Sequence, residues 1–411
     1  MEDKPFAVFD VSGTSIKFLV GYALKGQPIV IYAKETPIPS CIKDGRILAM
    51  EELSNALRAF HKFEDADYKL NLNIVDVCLV LPPIGAKIYQ MEGSTRGVSA
   101  QQEVTRTDVA NVIQQVKNQP IPGGNSIVDI IPESFILEDG SQFKEPPLGK
   151  LSASLSIKVW IHTLPKAIFD DYDHLINASG FRIVRASLAP YCQAQCLAAE
   201  AKTPDTCILV DMGGESTILT FLGKGNPYAS LYVPYGGASL TAAIAEGFSI
   251  EENEALRLQK RYGYEPRERS YSAVLCESNG YQYRQKDLNA IIESYFDEYM
   301  SQIENAERSM MSPYRGKLSS LPIVLTGGFS KLKGMKGFFE KTFPGREIHL
   351  HCPSAIGARD PGMLASLGMV LAASNYTGSL EDNRHGVASM SRVKEKNNRR
   401  PSRNSPEEDL L

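Results

Sequence analysis

A chain of 411 residues, 43% hydrophobic and 22% charged, is long enough to bury two cores. Its formal net charge of -4 carries no bias toward polyanions, which argues against nucleic acid as a partner. No run of 18 apolar residues predicts a membrane span, and the acidic start MEDKPFAVFD, without a basic segment before an apolar run, predicts no signal peptide. The seven cysteines are scattered through apolar strand and helix patterns, so they read as buried free thiols in a reducing compartment. Cys192-x-x-x-Cys196 and the His349-Leu-His351-Cys352 run lack partners at ligand spacing, and no metal is expected on them.

Taken in chain order, strands are predicted at Phe6 to Val11, Ile16 to Gly21 and Ile29 to Glu35. A helix from Met50 to Phe60 carries Leu53, Ala56, Leu57 and Phe60 at helical spacing. The strand from Ile74 to Leu81 ends at Pro82-Pro83, and from Gly85 to about His162 the chain reads as a compact α+β insert. Its elements are a strand from Ile84 to Met91, a helix opened by the capping box Thr105-Arg-Thr-Asp108, and strands at 127–131, 135–138 and 155–161. Beyond Pro204, strands at 207–212, 217–222 and 229–234 repeat the strand-turn-strand layout of the N-terminus. That repetition predicts an internal duplication with a cleft between two similar halves. A long helix then carries Leu288, Ile291, Ile292, Tyr295, Tyr299 and Ile303 as an apolar stripe, which reads as core packing. From residue 373 the composition collapses into Asn, Arg, Ser and Glu, predicting a disordered tail over 373–411.

Three segments share one design, an apolar strand that breaks into a turn of Gly, Ser and Thr. They are AVFDVSGTSIKFLVG from Ala7, ILVDMGGESTILTFLG from Ile208 and IVLTGGFSKLKGM from Ile323. Facing turns of this kind make a phosphate clamp. Glycine lets the backbone approach an anion, hydroxyls add donors, and an Asp at a strand end can hold hydrated Mg²⁺ against the phosphates.

The order of these turns resembles the actin, sugar-kinase and chaperone ATPase superfamily. The phrases IIPESFILEDG from Ile130, EPPLG from Glu145, SGFRIVRASLAP from Ser179, VPYGGASLTAAIAEGF from Val233 and RLQKRYG from Arg257 narrow the resemblance to the bacterial cell-division family FtsA, over about residues 5 to 372. The resemblance implies an α/β, actin-like duplicated ribonuclease-H-like fold, two domains flanking a nucleotide cleft, with an inserted α+β subdomain of the SHS2 type called IC. It implies subdomain IA at 1–84 and 163–203, IC at 85–162, IIA at 204–242 and 321–372, and IIB at 243–320. It further implies a scaffold, cytoplasmic and at the inner face of the membrane at the division site. Such a scaffold self-associates into actin-like filaments, binds the C-terminal tail of FtsZ through IIB and recruits other division proteins through IC. The implied cofactors are ATP and Mg²⁺. Asp10 would hold the Mg²⁺ water shell, and Gly13, Thr14, Ser15 and Lys17 would contact the β- and γ-phosphates. Asp211, Gly213 and Gly214 would close from the other side, and Gly327, Gly328, Ser330 and Met335 would pack on the adenosine. No catalytic residue is implied.

The chain departs from the family pattern at six chemically important places. The Gly two residues after the Asp of the first turn is Ser12, with the Gly shifted to Gly13. The third Gly of the second turn is Glu215, the water-orienting Glu of the family aligns with Ala189, Leu256 and Gln259 replace the Glu and Lys that clasp ribose and adenine, and the third Gly of the adenosine turn is Phe329. A carboxylate ~4 Å from a phosphate charge is repelled by about 4 kcal/mol at an effective dielectric of 20. ATP binding is therefore expected to be weak, and hydrolysis weak or absent. Two other readings share the fold: a pilus-assembly adaptor like PilM, whose family has a similar insert, and an ATPase or kinase. Two further surfaces are marked in the sequence. Residues 387–400 set Val387, Met390 and Val393 beside basic residues, a weak candidate for peripheral membrane contact. Arg257, Lys260, Arg261, Arg267 and Arg269, then Arg284 and Lys286, form a basic run in IIB, where the resemblance places the acidic FtsZ tail, with Arg284 and Lys286 as its contacts.

Overall fold

The computed structural model describes residues 5–38, 41–65, 70–96, 102–267, 272–314, 320–377 and 389–390. Strands β1 (Phe6–Val11), β2 (Ser15–Leu24) and β3 (Gln27–Pro37) form an antiparallel meander whose first turn pairs Asp10 with Lys17. After helix α1 (Met50–Arg58), strand β4 (Asp76–Leu81) joins β1 in parallel.

The insert follows as β5 (Lys87–Arg96), α2 (Arg106–Lys117), β6 (Ser126–Leu137), β7 (Gln142–Phe143) and β8 (Ser154–Leu164), with sheet order β7-β6-β8-β5. The capping box forms as read: the Thr105 N–H donates to Asp108 at 2.8 Å, and the Asp108 N–H donates back to the Thr105 hydroxyl at 3.3 Å. Val109, Val112 and Val116 bury the helix against Leu155, Ile157, Val159 and Ile161. The two strands expected at 127–131 and 135–138 are one strand. Pro132 has no N–H to give the ladder, and register shifts at Ile127/Asp129 and Pro132/Ser134 absorb the irregularity.

The chain then runs through α3 (Lys166–Ala178), β9 (Arg182–Leu188) and α4 (Ala189–Glu200) into the second half. There β10 (Cys207–Met212), β11 (Thr217–Gly223) and β12 (Asn226–Val233) repeat the meander. Helices α5 (Gly237–Phe248) and α6 (Glu252–Arg261), the hairpin β13 (Val274–Ser278) and β14 (Tyr281–Arg284), and α7 (Gln285–Met311) follow. The end of the fold is β15 (Ile323–Thr326), α8 (Met335–Thr342), β16 (Ile348–Leu350) and α9 (Leu364–Thr377). In α7, Leu288, Ile292, Tyr299 and Ile303 are buried in the second core, with Ile291 and Tyr295 half-buried at its margin.

The two halves have the same topology. The first sheet runs β3-β2-β1-β4-β9 and the second β12-β11-β10-β15-β16, each a meander extended by two parallel strands. Side-chain alternation sorts each first strand between two layers. Ala7, Phe9 and Val11 face the core of the first half, and Ile208, Val210 and Met212 that of the second. Phe6, Val8, Cys207 and Leu209 face a third layer shared by both sheets, which also holds Cys192, Cys196 and Leu197 of α4 with Leu364, Leu367 and Val370 of α9. Two crossing helices thus lie between the sheets. Because α9 contributes Ala373 to this layer, the helix runs through Thr377 and the stretch expected to be disordered from residue 373 begins as helix.

Candidate functional site

The first two glycine turns face each other across a cleft lined by Asp10, Gly13, Thr14, Ser15 and Lys17 on one side and Asp211, Gly213, Gly214 and Glu215 on the other. Gly327 and Gly328 of the third turn complete the lining. Ser330 and Met335 are not lining residues: the Ser330 hydroxyl is buried and donates to the Gly327 carbonyl at 2.7 Å, and Met335 is in the second core.

At the floor, the Lys17 ammonium sits 3.3 Å from Asp10, with both side chains mostly buried. Burial pushes the Lys17 pKa down, but Asp10, Asp211 and Glu35 together push it further up, so the group stays charged. Asp211 accepts a hydrogen bond from the Gln193 amide at 2.6 Å. Burial raises its pKa above the usual carboxylate range, against the opposing pull of Gln193 and Lys17. Gln193 was not singled out in the sequence, where a lone amide between Cys192 and Cys196 in an apolar helix is its only signal. Glu35 was also missed, and it fixes the first turn by accepting the Ser15 hydroxyl at 2.7 Å. Across the mouth, the Tyr232 hydroxyl of the second half donates to Asp44 of the first at 2.9 Å. Asp10, Glu35, Asp44, Asp211 and Glu215 thus set a strongly acidic lining against the Lys17 ammonium.

The turns approach each other closely. A methyl group placed on Gly13 would overlap the Glu215 side chain, and one on Gly214 would overlap Thr14. The second turn is braced from behind, because the Gly237 and Ala238 N–H groups at the start of α5 donate to the Gly213 and Gly214 carbonyls at 3.0 and 2.8 Å. Gly236 permits this approach, since a side chain there would strike both carbonyls.

Gly327 has φ 86 and lies against Asp211 and Met212, while no atom lies within 4 Å of where a Gly328 side chain would start. The next residue turns inward. The Phe329 ring is buried with Tyr295, Phe296 and Tyr299, at centroid distances of 6.3, 6.2 and 6.0 Å. Gln259 is buried too, accepting from the Thr241 hydroxyl at 2.7 Å, and Leu256 is half-buried. Of the six departures, Ser12, Glu215 and Ala189 line the cleft, whereas Phe329 and Gln259 serve the core.

Away from the cleft, Arg185 of β9 clamps the insert. Its guanidinium donates to Asp129 of β6 and to the Ala372 carbonyl of α9, both at 2.9 Å, and Ser187 also donates to Asp129. The basic run is largely engaged: Arg257 with Glu254, Arg267 with Glu265, and Arg284 with the Ser272 carbonyl and Gln282. Lys260, Arg261 and Lys286 are exposed. Arg269 and 387–400, apart from 389–390, lie outside the described residues. Among the described residues no helix is long and apolar enough to cross a membrane, and no group of three His, Cys, Asp or Glu is placed to hold a metal ion.

Comparison with known proteins places these features. Residues 208–368 match the family model described as "Cell division protein FtsA", and residues 86–163 match "SHS2 domain inserted in FTSA". The cell division protein FtsA of Bacillus subtilis (strain 168) is 22% identical over 373 residues, covering 89% of this chain and 82% of that protein. Among solved structures, the PilM-PilN type IV pilus biogenesis complex aligns with TM-score 0.58 at 16% identity, covering 90% of this chain and 98% of the other. MreB5 of Spiroplasma citri bound to AMPPNP aligns with TM-score 0.53 at 12% identity, covering 92% and 98%. Those structural likenesses are of fold, and they agree with the duplicated sheets and the cleft between them: the fold is actin-like, with an SHS2 insert.

Proposed function

The chain belongs to the FtsA family, whose two models together take in more than half of it, and on that premise we propose that it is an actin-like cell-division scaffold. The scaffold links FtsZ filaments to the inner face of the cytoplasmic membrane, self-associates into filaments and recruits other division proteins through IC. We keep the subdomain limits read above, with the FtsZ tail on IIB. The observation that carries this reading is the combination of an actin-like duplication with the SHS2 insert at 86–163. The pilus-adaptor alternative rests on fold alone.

The cleft residues fit part of a nucleotide. Gly13, Thr14, Ser15 and Lys17 with Asp211, Gly213 and Gly214 would cradle phosphates carrying Mg²⁺, Asp10 would meet the metal's water shell, and the space over Gly328 would receive the nucleoside. A nucleotide bound there would supply assembly control. Hydrolysis should be weak or absent, because Ala189, at the position of the family's water-orienting Glu, offers no group to orient a water.

The experiment is capture of an acidic FtsZ tail peptide. Lys286 stands exposed at the start of α7, beside the Arg284 guanidinium, so opposite charge steers encounter there. Arg284→Glu with Lys286→Glu should weaken capture by roughly tenfold, the loss of about 1.4 kcal/mol. Unchanged affinity in a variant that unfolds normally would move the site elsewhere.

A further inference from the structure

The second turn places a carboxylate side chain where facing glycines would otherwise leave a gap. Gly13 has no side chain, and the space above it is filled by the Cβ and Cγ of Glu215, which reaches across from the opposite half. The position along the cleft follows from the same turn. Asp211, at the start of the turn, touches Gly327 of the third turn, the side on which a nucleoside would lie. Glu215, four residues further on, packs its side chain on Gly13 of the first turn, the turn that the family resemblance assigns to the β- and γ-phosphates. A phosphate chain whose last group reached the first turn at Gly13 would meet the Glu215 side chain already there.

We propose that Glu215 is this chain's own occupant of the terminal-phosphate position, so that the cleft selects nucleoside diphosphates over triphosphates. The proposal rests on the reading of the cleft as a nucleotide site and adds its specificity. Two effects act together. The side chain takes up volume that a third phosphate needs, and its carboxylate repels that phosphate in a lining already rich in Asp and Glu. A diphosphate would stop short of Glu215 and lie over Asp10, Lys17 and Asp211, with Mg²⁺ offsetting the carboxylates. Residues 213 and 214 remain glycine, and the bracing by Gly237 and Ala238 holds the turn in place, so the side chain at 215 is presented from a fixed backbone.

The test is calorimetric titration of the full chain with Mg-ADP and Mg-ATP, comparing wild type, Glu215→Gln and Glu215→Gly. Wild type should bind ADP at least tenfold more tightly than ATP. Glu215→Gly, which removes both bulk and charge, should bring the two within threefold by tightening ATP alone. Glu215→Gln keeps the bulk without the charge and should fall between. Equal affinities in wild type, or a ratio that Glu215→Gly leaves unchanged, would overturn the proposal. Absence of binding by either nucleotide to wild type and to Glu215→Gly would overturn it together with the nucleotide reading of the cleft. The scaffold reading would then still stand or fall on capture of the FtsZ tail peptide.

Discussion

Gly368 of α9 lies directly against the backbone of Cys192 in α4, so close that a methyl group on Gly368 would overlap the Cys192 carbonyl. The two helices cross at backbone contact in the layer shared by both sheets, and neither can yield without moving a sheet. Gly368→Ala should therefore cost about 3 kcal/mol, the upper end of ordinary overpacking. A urea midpoint equal to that of wild type would show that the crossing is looser than drawn.

His162 predicts a pH dependence. Its ring is 1% exposed, Nδ1 has no hydrogen-bond partner, and burial, only partly opposed by Asp129, lowers its pKa from 6.5 to about 4. The folded state prefers the neutral ring, so this contribution is complete above pH 6.5 and is lost as pH falls toward 4. A shift of this size corresponds to roughly 3 kcal/mol. Unfolding free energies from pH 7 to 4.5 should fall less steeply in His162→Phe than in wild type, and parallel curves would rule the histidine out as a source.

The Arg185–Asp129 pair is buried, so removing one partner strands the other's charge. Arg185→Met should destabilise by about 3 kcal/mol or more, while Arg185→Met combined with Asp129→Leu should lose less than the sum of the single changes. Strict additivity in chemical denaturation would mean that the two charges act independently.

The segment at 387–400 has a small apolar face beside several basic residues. Sedimentation with anionic vesicles should show weak binding that disappears at high salt. Tight, salt-resistant binding lost on deleting residues 385–411 would contradict this.

What the sequence made legible was local. The Asp10–Lys17 hairpin follows from strand alternation around a Gly-Ser-Thr turn, and the Thr105–Asp108 box from residues three apart. The duplicated strand-turn-strand pattern foretold two sheets of one topology, because each meander is encoded contiguously. Relations that depend on tertiary approach were out of reach. Gln193 on Asp211 and Arg185 on Asp129 join different elements, and nothing local marks either pairing. Glu215 was visible as an unusual residue, yet its seat above Gly13 depends on how the two halves close. The gap expected between 127–131 and 135–138 is bridged at Pro132, because a missing donor looks the same in sequence whether a strand ends or bulges.

Helix α9 is seated along its length, against α4 at Gly368 and in the shared layer through Leu367, Val370 and Ala373, while the Arg185 guanidinium holds its Ala372 carbonyl, and it finishes at Thr377. A tether fixed to the chain beyond Thr377 would load this whole seat. Because the guanidinium at Ala372 also holds Asp129, tension on the tail would be passed to the insert as well as to the layer between the two sheets.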